Sequence, residues 1–288
     1  MPSGTELLTV TPRITSLLIG PFSSGKTRNA ITFPKCYVVT CDPAGIDIVH
    51  ERENTELAKN IIWYETLRNS SESDLKLLFK ENATSSERQS IYGCLAHTRE
   101  LAAKGEIETF ILDGLTYFVD MRWQYVCEYE EARSVQSGNL DTQAMYRNLG
   151  LYMQRFVASD LLTLSTRSNL NLVVTCHLKR ESREVVEGSD KTKSRAKKLV
   201  GESDIAPMIE GGFRNKIEGL FGAHIYLDNK LQSDGKIKYV AYCEKSIGFG
   251  TVVLAGNNYS LPPQLDLTGK SFYDVLMSNI NGAKSPKT

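Results

Sequence analysis

Short runs of apolar and β-branched residues punctuate the chain, and few of them alternate with polar positions. Such runs lie at Thr15–Ile19, Cys36–Thr40, Ile61–Tyr64, Thr109–Leu112, Leu172–Cys176 and Ala223–Leu227. Near-continuous apolar character in a short run is the pattern of a strand covered on both faces, as in a parallel sheet. Segments with helical spacing lie between them, at Asp74–Phe79, Ser86–Lys104, Phe118–Arg133 and Thr142–Leu164. The alternation predicts an α/β fold, a mostly parallel sheet of βαβ units with helices on both faces.

Three stretches break this rhythm. Ser134–Gln143, "SVQSGNLDTQ", is polar and turn-rich and reads as a connector between two helices. Lys179–Gly212 is rich in Lys, Arg, Glu, Ser and Gly and reads as a long mobile basic loop with room for one short helix. From Ile237 onward the pattern turns β-rich, first in "KIKYVAYCEK" and then in "FGTVVLAG", before a tail (281–288) expected to fray. The 288 residues then read as a single domain with its core at about 13–260.

Composition narrows the classes. Lys plus Arg and Asp plus Glu both number 34, so the formal net charge is zero. A uniformly basic, polyanion-binding surface is excluded, and any nucleic-acid contact has to come from a local patch. Cys36, Cys41, Cys94, Cys127, Cys176 and Cys243 are scattered without a C-x-x-C pair, the usage of reduced core thiols in a cytosolic protein. No apolar stretch approaches transmembrane length, and the first residues, "MPSGTELLTVTPR", lack the apolar region of a signal peptide. A cytoplasmic location is the expectation.

The first apolar run ends in Gly20-Pro21-Phe22-Ser23-Ser24-Gly25-Lys26-Thr27, which fits G-x-x-x-x-G-K-[ST]. Phosphate oxygens are held by backbone N–H groups, so a loop that wraps them needs small residues, and a helix beginning there turns its positive end toward the anion. Lys26 is expected to reach the β- and γ-phosphates and the Thr27 hydroxyl to ligate Mg²⁺. Gly20 through Thr27, with Arg28 directly after, form the expected nucleotide-binding set, with ATP and Mg²⁺ as ligands. The N-K-x-D pattern that reads guanine is absent; "NKIE" and "NKLQ" lack the Asp.

Three further residues close apolar runs. Asp113 ends "TFILD", where a carboxylate beside the phosphate loop can hold Mg²⁺. Asp42 follows "CYVVTC" and precedes Pro-Ala-Gly; it either activates the attacking water or forms a turn with its own backbone. His177 ends "NLVVTCH", as a contact to the γ-phosphate or as a core histidine satisfied by backbone. Lys26, Asp42 and His177 are thus the catalytic candidates. The stretch beyond carries Lys179, Arg180, Arg183, Lys191, Lys193, Arg195, Lys197 and Lys198. It reads either as a solvated charged loop or as a contact to a polyanion or a neighbour's nucleotide, without aromatic residues for base stacking.

The order GPFSSGKT, TCDPAG, FILDGL, VVTCHLKRE, basic loop and "PMIEGGFRNKIEGLFGAHIYL" resembles the phage-type RecA-like P-loop nucleotide-binding ATPases, the group that includes phage single-strand-annealing ATPases. The resemblance spans about Arg13 to Leu227. It implies a RecA-like core, ATP with Mg²⁺, assembly into a homo-oligomeric ring or filament, and a role in phage DNA recombination, annealing or replication in the host cytoplasm. It puts phosphate binding on Gly20–Thr27, Mg²⁺ on Asp113, the post-strand acidic position on Asp42 (often Glu in such proteins) and a polar sensor on His177. The basic loop takes the place of a contact to single-stranded DNA, with Lys179 and Arg180 also able to act in trans. Two other readings remain open at this level: a small-molecule phosphotransferase with a basic lid, and a nucleotide-dependent adaptor with little turnover.

Overall fold

The computed structural model describes residues 13–42, 55–68, 72–130, 142–185, 198–209, 213–243 and 261–282. Strands β1 (Thr15–Gly20), β2 (Cys36–Thr40), β3 (Ile61–Thr66), β4 (Thr109–Asp113), β5 (Asn171–Val185), β7 (Ala223–Leu231), β8 (Ile237–Tyr242) and β9 (Gln264–Asp266) lie in the order β3-β2-β4-β5-β1-β7-β8-β9. Strand β6 (Lys198–Pro207) pairs only with β5. The first six in this order pair in parallel, while β7–β8 and β8–β9 are antiparallel. This is the α/β core of a P-loop NTPase, mostly parallel with a β-rich C-terminal side.

Alternation along each buried strand sends its apolar residues to two different cores. Leu17, Val39, Leu112 and Val174 face one that also takes Ile91 and Leu95 of α4 (Ile91–Ala103) and Phe118 of α5 (Leu115–Tyr125). Leu18, Val38, Ile111 and Val173 face the other, closed by Ala30 of α1 (Lys26–Ala30) and by Phe272, Leu276 and Ile280 of α9 (Phe272–Gly282). Covering both faces is why these strands read as unbroken apolar runs. The remaining helices are α2 (Thr55–Ala58), α3 (Glu72–Leu78), α6 (Thr142–Arg155), α7 (Leu162–Ser168) and α8 (Arg214–Ile217). Helix α5 runs into a π-helical segment, Val126–Glu130, and α6 into a second, Phe156–Leu161.

Two expectations change, and the expected helix after the phosphate loop is present but short. The 179–212 stretch is not a loop at its ends: β5 continues to Val185 and pairs antiparallel with β6, Leu178 opposite Pro207 and Val185 opposite Lys198. A two-stranded ribbon needs no apolar alternation, so its sequence carries a loop's composition. Residues 186–197, and with them Lys191, Lys193, Arg195 and Lys197, lie outside the described residues. The C-terminal end is not purely β: "FGTVVLAG" lies outside the described residues, and α9 takes in residues 281 and 282 of the expected frayed tail. The helix after the phosphate loop spans only Lys26–Ala30. Its dipole is correspondingly short, and an anion there depends on the loop's own N–H groups.

Among the described residues no helix is long and apolar enough to cross a membrane. Five of the six cysteines are buried, Cys127 is exposed, and none forms a disulfide.

Candidate nucleotide site

The carboxyl ends of the parallel strands gather the candidates on one edge of the sheet, the usual place for a ligand in an open α/β fold. Strand β1 delivers Gly20, and its register partner on β5 is His177. Thr40 of β2 pairs with Asp113 of β4, and Asp42 follows two residues after Thr40. Sequence-distant groups therefore meet because their strands end level.

Backbone geometry makes the loop. Ser23 at φ 60° and Gly25 at φ 82° are left-handed, so the chain turns sharply before α1 begins. At Gly20 the constraint is contact: a Cβ would stand 2.4 Å from Ser24 Oγ and 2.5 Å from the Leu227 carbonyl. Asn229 of β7 steadies the turn by donating from Nδ2 to the Ser23 carbonyl, 3.2 Å. Phe22 is 68% exposed at the loop's tip and rests on the His177 ring, centroids 4.1 Å apart.

Lys26 folds back into this turn. Its Nζ donates to the Gly20 carbonyl at 3.1 Å, the Pro21 carbonyl at 2.8 Å and His177 Nδ1 at 3.2 Å. Burial holds its pKa below the usual lysine value, opposed by the charge of Asp113. The lysine is thus surrounded by weak acceptors, and no carboxylate pairs with it directly in the bonds above. Such an ammonium gains by meeting a phosphate anion. Ser24 Oγ is buried within the same loop without a hydrogen-bond partner. Both features fit a phosphate.

Thr27 Oγ1 lies 3.0 and 2.9 Å from the two carboxylate oxygens of Asp113, and Thr175 Oγ1 donates to Asp113 Oδ1 at 2.6 Å. Asp113 is fully buried, and burial raises its pKa, partly offset by these two hydroxyl donors. A buried carboxylate beside a hydroxyl is an all-oxygen set of the kind that holds Mg²⁺ together with phosphate oxygens and waters. Among the described residues no cluster of three or more His, Cys, Asp or Glu forms a metal site, so the fit is to this sparse arrangement.

His177 is boxed in. Its amide accepts no freedom, since His177 N donates to Thr116 Oγ1 at 3.0 Å, and its carbonyl receives Met208 N at 2.7 Å. Tyr117 stands edge-on to the ring at 5.4 Å. Burial first, and the Lys26 charge second, push its pKa down to about 4, against the raising pull of Asp42. The Asp42 carboxylate reaches within 3.9 Å of His177 Nε2, beyond hydrogen-bond range. Gly114, at φ 102°, sits beside Asp42: a Cβ there would lie 3.1 Å from the Asp42 amide nitrogen.

Lys26, Thr27, Asp42, Asp113 and His177 are thus brought together. Of the basic residues, Lys179, Arg180, Arg183 and Lys198 are described as backbone positions on β5 and β6. Sequence reasoning missed the supporting hydroxyls, Thr116 and Thr175, which look like ordinary core positions. It also missed a cavity of about 190 Å³ directly beside the loop, lined by Arg28, Asn29, Tyr239, Leu267, Gly269 and Lys270 among others. Here the Arg28 guanidinium lies 6.0 Å from the centre of the Tyr239 ring.

A family model described as an AAA domain matches residues 13–249, which contain the phosphate loop, Asp42, Asp113, His177 and the β5–β6 ribbon. No curated protein matches the chain.

Proposed function

The chain belongs to the AAA-domain family of P-loop nucleotide-binding ATPases, and on that premise we propose that it is a Mg²⁺-dependent, RecA-like ATPase working on DNA. The observation that carries the ATPase reading is the meeting of Lys26, the Thr27–Asp113 pair and His177 at the end of β1. Lys26 would hold the transferred phosphate, and Thr27 and Asp113 would hold Mg²⁺, which supplies charge neutralisation on the phosphate oxygens. Ser24 and the loop amides would take the remaining oxygens. Asp42 would orient the water, and His177 would report on the γ-phosphate through its contact with Lys26. The cavity next to Arg28 is the place for the base, which Tyr239 and Arg28 would flank by stacking.

The DNA role rests on the continuity of β5. The strand that ends the phosphate site at His177 goes on to Lys179, Arg180 and Arg183 without a break. Basic residues on such a ribbon would contact the backbone of single-stranded DNA, giving sequence-independent, salt-sensitive binding. The working form would be a homo-oligomer, with Lys179 and Arg180 available to a neighbour's nucleotide.

Purified protein incubated with Mg²⁺ and ATP should release inorganic phosphate, and single-stranded DNA should change the rate. Removing residues 186–197 should weaken DNA binding and abolish the stimulation while leaving the basal rate. Unaltered DNA binding in that deletion would refute the DNA assignment, and absence of phosphate release with a phosphorylated acceptor instead would replace hydrolysis by transfer.

A further inference from the structure

The cavity beside Arg28 holds one buried acceptor whose direction is fixed. Asn29 is 6% exposed, and its Nδ2 donates to the Gly25 carbonyl at 2.8 Å. A carbonyl oxygen only accepts, so the amide cannot be turned the other way, and its Oδ1 stands at the opposite end of the group. The other polar side chains around it offer little in this role. Arg28 and Lys270 carry donors only. Thr32 and Ser271 are already engaged: Thr32 Oγ1 donates to the Asn29 carbonyl at 2.7 Å and receives Tyr273 N at 3.0 Å, and Ser271 Oγ receives Asp274 N at 3.3 Å, so the Tyr239 phenol is the other hydroxyl at the cavity.

Resting on the nucleotide reading above, we propose that Asn29 is the base-selecting residue. Its Oδ1 accepts a hydrogen bond from the exocyclic amine of adenine, or of cytosine, in the cavity. Guanine and uracil present a carbonyl oxygen at the corresponding edge, which would set two acceptors against each other. A site built to bond a substrate N–H rejects the analogue without it because its own polar group is left unpaired. The phosphate loop and the selecting side chain are coupled through one carbonyl: Gly25 accepts from both Asn29 N, at 2.9 Å, and Asn29 Nδ2. Base identity would thus be read three residues, about one helical turn, from Lys26.

The test is equilibrium binding of the full chain, with Mg²⁺, to three triphosphates that differ at purine position 6, the inosine base also carrying a proton on N1. ATP carries the amine, inosine triphosphate an oxygen, and purine riboside triphosphate hydrogen. Wild-type protein should bind ATP about tenfold or more tightly than either of the others, as a lost polar pairing in a buried site requires. The near-isosteric Asn29→Leu, with Asn29→Ala measured alongside, should bring ATP down to the level of purine riboside triphosphate and raise the affinity for inosine triphosphate, whose oxygen then no longer faces an acceptor. Equal binding of the three by the wild type would overturn the proposal. So would variants that keep the discrimination, or that lose all three ligands in parallel, which is the signature of a merely structural bond to Gly25. Failure of every triphosphate to bind would instead overturn the nucleotide reading itself.

Discussion

Lys26 Nζ lies 3.2 Å from His177 Nδ1. An ammonium has no lone pair, so Nδ1 is the acceptor and the proton of the neutral ring sits on Nε2, the nitrogen that faces Asp42 at 3.9 Å. The nucleotide-free protein should therefore show His177 as the Nε2–H tautomer at neutral pH, titrating near pH 4. Lys26→Met should raise that titration point without restoring it fully, because burial remains. Long-range proton–nitrogen spectra of imidazole-labelled protein check both outcomes, and a protonated ring at pH 6 would contradict them.

Acid should destabilise the fold before carboxylates titrate. His224 is buried on β7 with neither ring nitrogen hydrogen-bonded, and burial lowers its pKa to about 4. The unfolded chain binds that proton near pH 6.5, so the stabilisation is complete above this value and is lost as pH falls toward 4. The loss amounts to roughly 3 kcal/mol for this one residue. Urea unfolding at pH 7.0 and 4.5 should show the drop, and His224→Phe should shrink it.

Asp113 stands on the other side of that balance. Burial raises its pKa, so its charge costs stability when no cation is bound. Asp113→Asn should leave the melting temperature of the nucleotide-free protein unchanged or higher. The same variant should lose the additional stabilisation that Mg²⁺ with nucleotide gives the wild type. Thermal melts with and without Mg²⁺ and nucleotide separate the two effects.

Gly20→Ala tests the packing of the loop. The added methyl has no room against Ser24 Oγ and the Leu227 carbonyl, and the latter belongs to β7 and cannot swing aside. The loop must shift, at a cost of about 1–3 kcal/mol for overpacking. Nucleotide binding should fall by far more than the stability loss predicts, as measured by parallel binding and denaturant titrations.

Which parts were legible in the sequence follows from burial. The six strands of the parallel core declared themselves because both faces are covered, and Cys36–Thr40 was found with its observed ends. The start of α5 came three residues late, because its cap is Gly114 in the left-handed region, directly after a strand. Helix α9 was missed although Phe272, Leu276 and Ile280 recur at helical spacing; the β-branched runs before it dominated the reading. Within the site, Gly20–Thr27 and Asp113 stand out by pattern. Thr116, Thr175 and the cavity at Arg28 do not, because they are assembled from segments far apart in the chain and have no spacing of their own.

Strand β5 is one span of 15 residues, half of it inside the parallel sheet and half in the ribbon with β6, where the register shifts once between Ser182 and Glu184. His177 sits at the crossing point, as a fulcrum. From there to Val185 the strand extends roughly 25 Å at about 3.3 Å per residue. A tilt of a few degrees at the fulcrum would become a displacement of an ångström or more at the far end, on the order of a van der Waals contact. The strand has the geometry of a lever that trades force for travel: a small tilt at His177 would be magnified toward Val185.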